Sequence, residues 1–390
     1  MKKGWQTKKL SDLYQIGSSK RVLKSQWKTE GVPFYRGREV TRLAADGFVD
    51  NELFISEKHF AELSKEYGVP KAGDIVITAI GTIGNSHVVR SSDLFYFKDA
   101  SVLWMKRTSE VSSEFVNLWL KSPSFFDQLD RGNGATVDTL TIQKLQSVEL
   151  FVPPLAEQRR IVGLLDEAFE GIATAKANAE KNLQNARALF ASHHNSIFSH
   201  RREGWAEKPL GEVCEYVNGK AHERCIDEGG RFIVINSKFI STEGEVFKRS
   251  NDALLLLQPG EIAMVLSDVP NGKALAKCFL VKESNTYTLN QRICLIRSTK
   301  FHTKFLFYQL NRNRHFLSFD NGENQTNMRL NQVLSCPLFL PPLAEQETIA
   351  DTLDSLSEET QRLAAIYQQK LAALDALKKS LLHRAFAGEL

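Results

Sequence analysis

The sequence predicts an α+β protein: two similar mixed α/β modules separated by two long helices that pair as an antiparallel coiled coil, pseudo-twofold by internal duplication. Three observations carry this. The phrase Pro-Pro-Leu-Ala-Glu-Gln occurs at 153–158 and again at 341–346, and each copy opens a long stretch free of proline. Apolar residues recur at helical spacing through both stretches. The segments ahead of the two copies match each other in order, the signature of a repeat. These observations divide the chain into a first module (1–152), a first helical arm (153–200), a second module (201–340) and a second arm (341–390).

Each arm has a start signal. Two prolines hold the chain extended and then permit a first helical turn, where Glu157 and Glu345 favour the positive end of the helix dipole. Leu353, Leu356, Leu363, Tyr367, Leu371, Leu374, Leu377 and Leu381 form one stripe in the second arm. Ile161, Leu165, Phe169, Ile172, Ala179, Leu183, Ala186, Phe190 and Ile197 form the other. A helix of roughly 40 residues spans about 60 Å. That exceeds the width of a small domain, so each stripe needs a second helix, and each arm is the other's candidate partner.

The modules repeat with drifting offsets. GWQTKKLSDLYQIGSSK from Gly4 is answered by GWAEKPLGEVCEYVNGK from Gly204, Gly73-Asp74 by Gly260-Glu261, and a helix from Glu114 by one from Lys304. Strands are expected over Asp74 to Ile80, Glu261 to Leu266, Val148 to Val152 and Leu338 to Leu340. A short helix is expected over Leu140 to Leu145 behind a Thr139 cap. Asn311 to Arg314 reads as a continuation of the helix begun at Lys304.

Composition excludes little. A chain of 390 residues with 42% hydrophobic and 25% charged content suits two or three soluble domains. The net charge of +4 permits nucleic-acid binding. Five cysteines without a CxxC pair read as free or buried thiols. No apolar run reaches membrane length and MKKGWQTKKL lacks a signal core, so a cytoplasmic location with no membrane partner is expected.

Catalytic motifs are missing from the residues. The Pro-Pro pairs follow Val152 and Leu340 and lack the Asn/Asp-Pro-Pro-Tyr/Phe context of an amino-methyltransferase. GNG at Gly132 lacks a dinucleotide fingerprint, and no phosphate-binding GxxxxGK[ST] occurs. His193-His194 has no partner at metal spacing, which gives no metal site. Asp74, Glu261 and Asp268 stay open as dispersed nuclease carboxylates.

The duplicated order resembles the specificity subunit of type I restriction–modification systems, HsdS. It rests on the GW-x₄-L-x-[DE] openings (Gly4, Trp5, Leu10, Asp12; Gly204, Trp205, Leu210, Glu212), the Gly-Asp and Gly-Glu pairs, and the P-P-L-x-E-Q arm starts. The closing KKSLLHRAFAGEL is also similar to that family's C-terminus. The resemblance implies two target recognition domains, each reading one half of an asymmetric bipartite site on double-stranded DNA. It implies helices that set the spacer and dock two modification subunits, and a chain with no catalysis and no cofactor of its own. S-adenosylmethionine would belong to the adenine-methylating modification subunits, and ATP and Mg to restriction subunits. Two rivals remain: a duplicated coiled-coil adaptor that binds protein, and an enzyme.

Base readout needs Arg, Lys, Asn, Gln or Thr on loops or helix ends. The first module offers Lys20, Arg21, Arg36, Arg38, Thr78, Thr82, Asn133 and Thr136. The second offers Lys220, Lys238, Asn271, Lys273 and the run Asn324, Gln325, Thr326, Asn327, Arg329, the densest in base-edge chemistry. A polar surface turn is the plainer alternative for that run.

Overall fold

A computed structural model describes residues 4–129, 139–199 and 202–390. The chain forms two compact units, Met1–Glu180 with Gln368–Leu390, and Lys181–Tyr367. Each unit holds one module, the start of one arm and the end of the other.

The first module contains β1 (Gln6–Lys9), β2 (Tyr14–Gly17), β3 (Val32–Tyr35), β4 (Phe54–Ile55), β5 (Ile75–Thr78), β6 (Ser86–Val88), β7 (Tyr96–Phe97), β8 (Val102–Arg107) and β9 (Glu149–Val152). β1 pairs with β9, four strands run β2-β8-β5-β6, and three run β4-β3-β7. β5 is buried at every residue, as its unbroken Ile-Val-Ile run requires of a central strand. In the three-stranded sheet β3 is antiparallel to β4 and parallel to β7.

The second module contains β10 (Ala206–Pro209), β11 (Glu215–Asn218), β12 (Phe232–Ile235), β13 (Lys248–Ser250), β14 (Ile262–Val265), β15 (Ser267–Asp268), β16 (Cys278–Leu280), β17 (Tyr287–Leu289), β18 (Ile293–Arg297), β19 (Thr326–Asn327) and β20 (Pro337–Leu340). Its sheets run β10-β20, β11-β18-β14-β16 and β13-β12-β17, with β15-β19 added. β12 is again antiparallel to one neighbour and parallel to the other. The duplication read from scattered sequence matches thus extends to the strand order of these three sheets.

The arms are the helices Leu155–Phe198 and Leu343–Ala387. In the first unit Lys378 lies over the Phe169 ring and Lys176 pairs with Asp375 at 2.7 Å, so numbers rise along one helix as they fall along the other. Ile161 and Leu165 join Leu382, Ala385 and Phe386 in the module core. In the second unit Ile197 joins Ile349, Ala350 and Leu353 in the same way. The reciprocity reaches single rings: Phe386 packs on Phe115 at 5.2 Å, and Phe198 on Phe305 at 5.4 Å.

Burial along the arms steps by seven. Leu165, Ile172, Ala179 and Ala186 are buried in the first, and Leu353, Thr360, Tyr367, Leu374 and Leu381 are buried or half-buried in the second. That is the period of a coiled-coil seam. Leu377 departs from the expected stripe and is exposed, while Leu382 is buried beside Leu381. A straight count in helical steps drifts off a seven-residue seam toward the helix end, which explains the misplacement.

The repeated Pro-Pro-Leu-Ala-Glu-Gln phrase acts as a latch. Gln158 is buried; its Oε1 accepts from Ser112 N at 2.8 Å and its Nε2 donates to Pro153 O at 2.8 Å. Gln346 does the same with His302 N at 2.8 Å and Pro341 O at 2.9 Å. One side chain thereby ties the first turn of the arm to the start of the module helix, Ser113–Trp119 or Thr303–Leu310. Trp205 adds a donor to Glu345 at 3.0 Å.

Three local expectations need correction. The short helix is Ile142–Ser147 behind a Thr141 cap, because Thr139 is held in a bridge with Ile80. Asn311 to Arg314 is a break between helices: Arg312 has φ +57° and Asn313 caps the next helix. The strands β5 and β14 are shorter than predicted, ending where their loops begin. All five cysteines are free. Among the described residues no helix is long and apolar enough to cross a membrane.

Candidate nucleic-acid interface

In the first module the candidate surface is built where the β3 end and the loop after β5 meet. β3 leads into the helix Gly37–Asp46, whose first turn reaches back to its cap residue: Arg36 N donates to Glu39 Oε2 at 2.9 Å. The Arg36 guanidinium returns to the same carboxylate at 3.1 and 2.8 Å. Arg38 bonds Glu39 at 3.0 Å and Glu52 at 2.7 Å. Burial by itself would raise the Glu39 carboxyl, but the Arg36 and Arg38 hydrogen bonds outweigh it and hold it at about 2. Both guanidiniums are thereby oriented, and their charge is shared with one buried acid.

The loop after β5 supplies the facing side. Thr82 is exposed, with its hydroxyl 3.1 Å from that of Thr41, and Asn85 donates to Thr41 at 3.2 Å. Gly37, Arg38, Thr41, Arg42, Thr82 and Ser101 line one hollow around Ile80. Thr78 is corrected: it is fully buried, donates to Thr82 O and accepts from Asn85 N at 3.0 Å, so it shapes the loop from beneath. Its place at the end of a central strand puts it inside.

Arg21 is tied to the turn at 99–101, whose Ser101 lines the hollow, while Lys20 lies against Tyr96 and Tyr67. Arg21 donates to Asp99 at 2.9 Å, and Ser101 O accepts from Ala79 N at 2.9 Å. Lys20 N donates to the Tyr96 hydroxyl at 3.0 Å while its ammonium lies 5.3 Å from the Tyr67 ring centre. Asn133 and Thr136 lie outside the described residues.

The second module gathers its candidates differently. The loop after β14 carries Asn271 and exposed Lys273, and Asn271 Nδ2 donates to Gly322 O at 3.3 Å. Gln325 Nε2 donates to Ser267 at 2.9 Å, and β15 pairs with β19 so that Asn327 faces Ser267 and Thr326 faces Asp268. The favoured run is therefore stitched to the β14 loop, leaving Asn324, Gln325, Asn327 and Arg329 exposed. Thr326 is corrected: it is buried, hydrogen-bonded to Asp320 at 3.3 Å. Lys220 and Lys238 sit on other elements, exposed, with Lys238 in the first turn of the helix Ser237–Ser241.

Sequence reasoning missed Thr41, Arg42 and Ser101 in the first module and Arg292 in the second. Thr41 lies three residues after Arg38, a same-face spacing that was legible once the helix was placed. Arg292 is exposed at φ +68°, and its carbonyl accepts from Leu266 N at 2.9 Å beside the β14 loop. No local pattern marks it.

The three open acids are turn-formers. Asp74 accepts from Lys71 N, Trp104 Nε1 and Arg107 N, each at 2.9 Å. Glu261 accepts from Gln258 N at 2.8 Å and from Arg297 at 2.8 Å. Asp268 accepts from Ala274 N at 2.6 Å and Leu275 N at 3.0 Å. The glycines ahead of the first two have φ +89° and +88°, which explains why Gly precedes the acid in both modules.

A family model described as type I restriction modification DNA specificity domain matches residues 2–184 and again 202–370. A Haemophilus influenzae protein assigned as a type I restriction enzyme specificity subunit is 30% identical over 188 residues, 46% of this chain and 46% of that one. The StySPI type I restriction enzyme specificity subunit of Salmonella potsdam is 24% identical over 318 residues, 72% of this chain and 66% of its own. The chain thus spans about half and about two thirds of the lengths of these relatives.

Among solved structures, a chain from work on complex assembly and conformational transition of the type I R-M system superposes with a TM-score of 0.80. It has 17% identity, over 100% of this chain and 99% of that one. The HsdS subunit from Thermoanaerobacter tengcongensis superposes at 0.64 with 17% identity, over 100% and 98%. These two agree in fold. Since the family model falls once on each module and takes in the start of each arm, the chain belongs to the type I restriction–modification DNA specificity family and carries its domain twice.

Proposed function

We propose that this chain is the sequence-reading subunit of a type I restriction–modification complex, each module reading one half of an asymmetric, bipartite duplex. The observation that carries it is the pairing of like scaffolds with unlike loops. The sheets, latches and turns repeat between modules, while Arg36 and Arg38 of the first give way to Asn236 and Lys238 of the second. Structural repetition with divergence at candidate base-contacting positions suits two related readers of different half-sites. Two long helices, one begun at the end of each module, suit an unread spacer between the half-sites.

In this reading the chain catalyses nothing. Two modification subunits dock on the helices and bring S-adenosylmethionine for adenine methylation, and restriction subunits bring ATP and Mg. The complex works in the cytoplasm.

The test uses the full chain co-expressed with its modification subunits and a pool of random duplexes. One bipartite sequence should be enriched, and changing its spacer by one base pair should abolish binding. Arg329→Ala should weaken readout of the second half-site and leave the first half-site's preference intact. A pool without enrichment would favour the protein-binding adaptor, and methyl transfer by the chain alone would favour an enzyme.

A further inference from the structure

Each candidate surface carries an apolar side chain that folding does not explain. In the first module it is Ile80, 45% exposed, two residues past the end of β5. Its backbone is fixed by the bridge to Thr139, and its neighbour Ala79 accepts from Leu140 N at 2.8 Å. The side chain stands in the hollow among Arg38, Thr41, Arg42, Thr82 and Ser101.

The second module has a comparable feature four residues past the end of β14, its equivalent strand, and just beyond β15. Val269 is 62% exposed. Its N–H bonds the Asp268 carboxylate at 2.9 Å and its carbonyl accepts from Gly272 N at 2.9 Å, so the tip is held out in one shape. Asn271 and Lys273 lie two and four residues further along the same loop.

A single exposed aliphatic residue needs no explanation. Two on the segments beyond the same core strand of two modules, each sharing its hollow or loop with a cation and hydrogen-bonding side chains, match a particular chemistry. The major-groove edge of a T·A pair sets an apolar C5-methyl beside the thymine O4 acceptor, at the end of a polar row that continues through the adenine N6 and N7 groups. Resting on the DNA-reading function above, we propose that Ile80 and Val269 each pack on a thymine methyl and specify one T·A pair apiece, in different half-sites.

The test takes the complex with its enriched duplex and replaces each thymine in turn by deoxyuridine, which lacks only the methyl. One position in one half-site should lose about fourfold in affinity, the scale of burying one methyl group. Ile80→Ala should abolish that sensitivity and Ile80→Val should keep most of it. Val269→Ala should do the same at one position of the other half-site only. An enriched duplex whose deoxyuridine profile is flat, or unchanged in both alanine variants, overturns this inference alone. Failure to enrich any duplex overturns the DNA-reading function with it.

Discussion

The two modules share a skeleton and differ in how they hold their polar side chains. In the first, the candidate cations are locked: Arg36 and Arg38 share Glu39, Arg38 also takes Glu52, and Arg21 takes Asp99. In the second, Asn236 at the place of Arg36 spends its side chain capping Phe239 N at 2.9 Å. The amide-rich 324–327 segment is stitched to the β14 loop by neutral bonds. The position of Arg36 and Asn236 thus serves its helix start in both modules, by a guanidinium that shares the Glu39 carboxylate in one and by an amide cap in the other. The first surface is pre-oriented by ion pairs, and the second by strand pairing and amides.

This comparison can be broken most sharply at the opening tryptophans. Trp205 is 2% exposed, donates to Glu345 and meets Phe305 edge-on, whereas Trp5 is only partly buried. Trp205→Ala should cost about 3–5 kcal/mol in urea unfolding, with Trp5→Ala clearly below it. Equal losses would mean the two openings are packed alike.

The latches should instead behave identically. Gln158→Leu and Gln346→Leu each strand one partly buried N–H and one buried carbonyl, costing about 2 kcal/mol. A difference beyond about 1 kcal/mol in the same unfolding measurement would break the equivalence of the two arm starts.

Smaller and pH-dependent is the effect of Glu39→Gln. The folded value near 2 lies below the ordinary 4.5, so this carboxylate's stabilisation is full above about pH 4.5 and is lost as pH falls toward 2. The variant should flatten that part of the stability–pH curve. It should also release Arg36 and Arg38, steepening the salt dependence of DNA binding. An unchanged curve would mean the locked cations are not locked.

Least of all should follow from the exposed Lys176–Asp375 pair. Lys176→Ala should change unfolding by less than about 1 kcal/mol, since solvent screens such pairs. A larger loss would shift credit for arm pairing from the apolar seam to charge.

Much of the fold was legible because its largest parts announce themselves. A repeated hexapeptide and an apolar seam over more than forty residues define the arms, and the Gly-Trp and Gly-acid pairs mark matched points of the modules. The three-stranded sheet was not legible. β4 and β7 are two residues long and β3 pairs with β7 across some sixty residues, leaving no periodicity to read. Among site residues, type could be read but depth could not. Thr78 and Thr326 have suitable chemistry yet are buried by strand pairing, and Arg36 and Arg38 have suitable charge yet find Glu39 first. Ile80 and Val269 were passed over because their chemistry is apolar.

The ribbons β1-β9 and β10-β20 bear on how such a chain changes over time. Gln6 lies opposite Val152 and Ala206 opposite Leu340, so the entry and exit of each module leave side by side. A cassette cut at those ribbons could be exchanged by recombination without disturbing the helix it precedes. New address labels can in this way be acquired in one genetic event, on machinery that never has to be rebuilt.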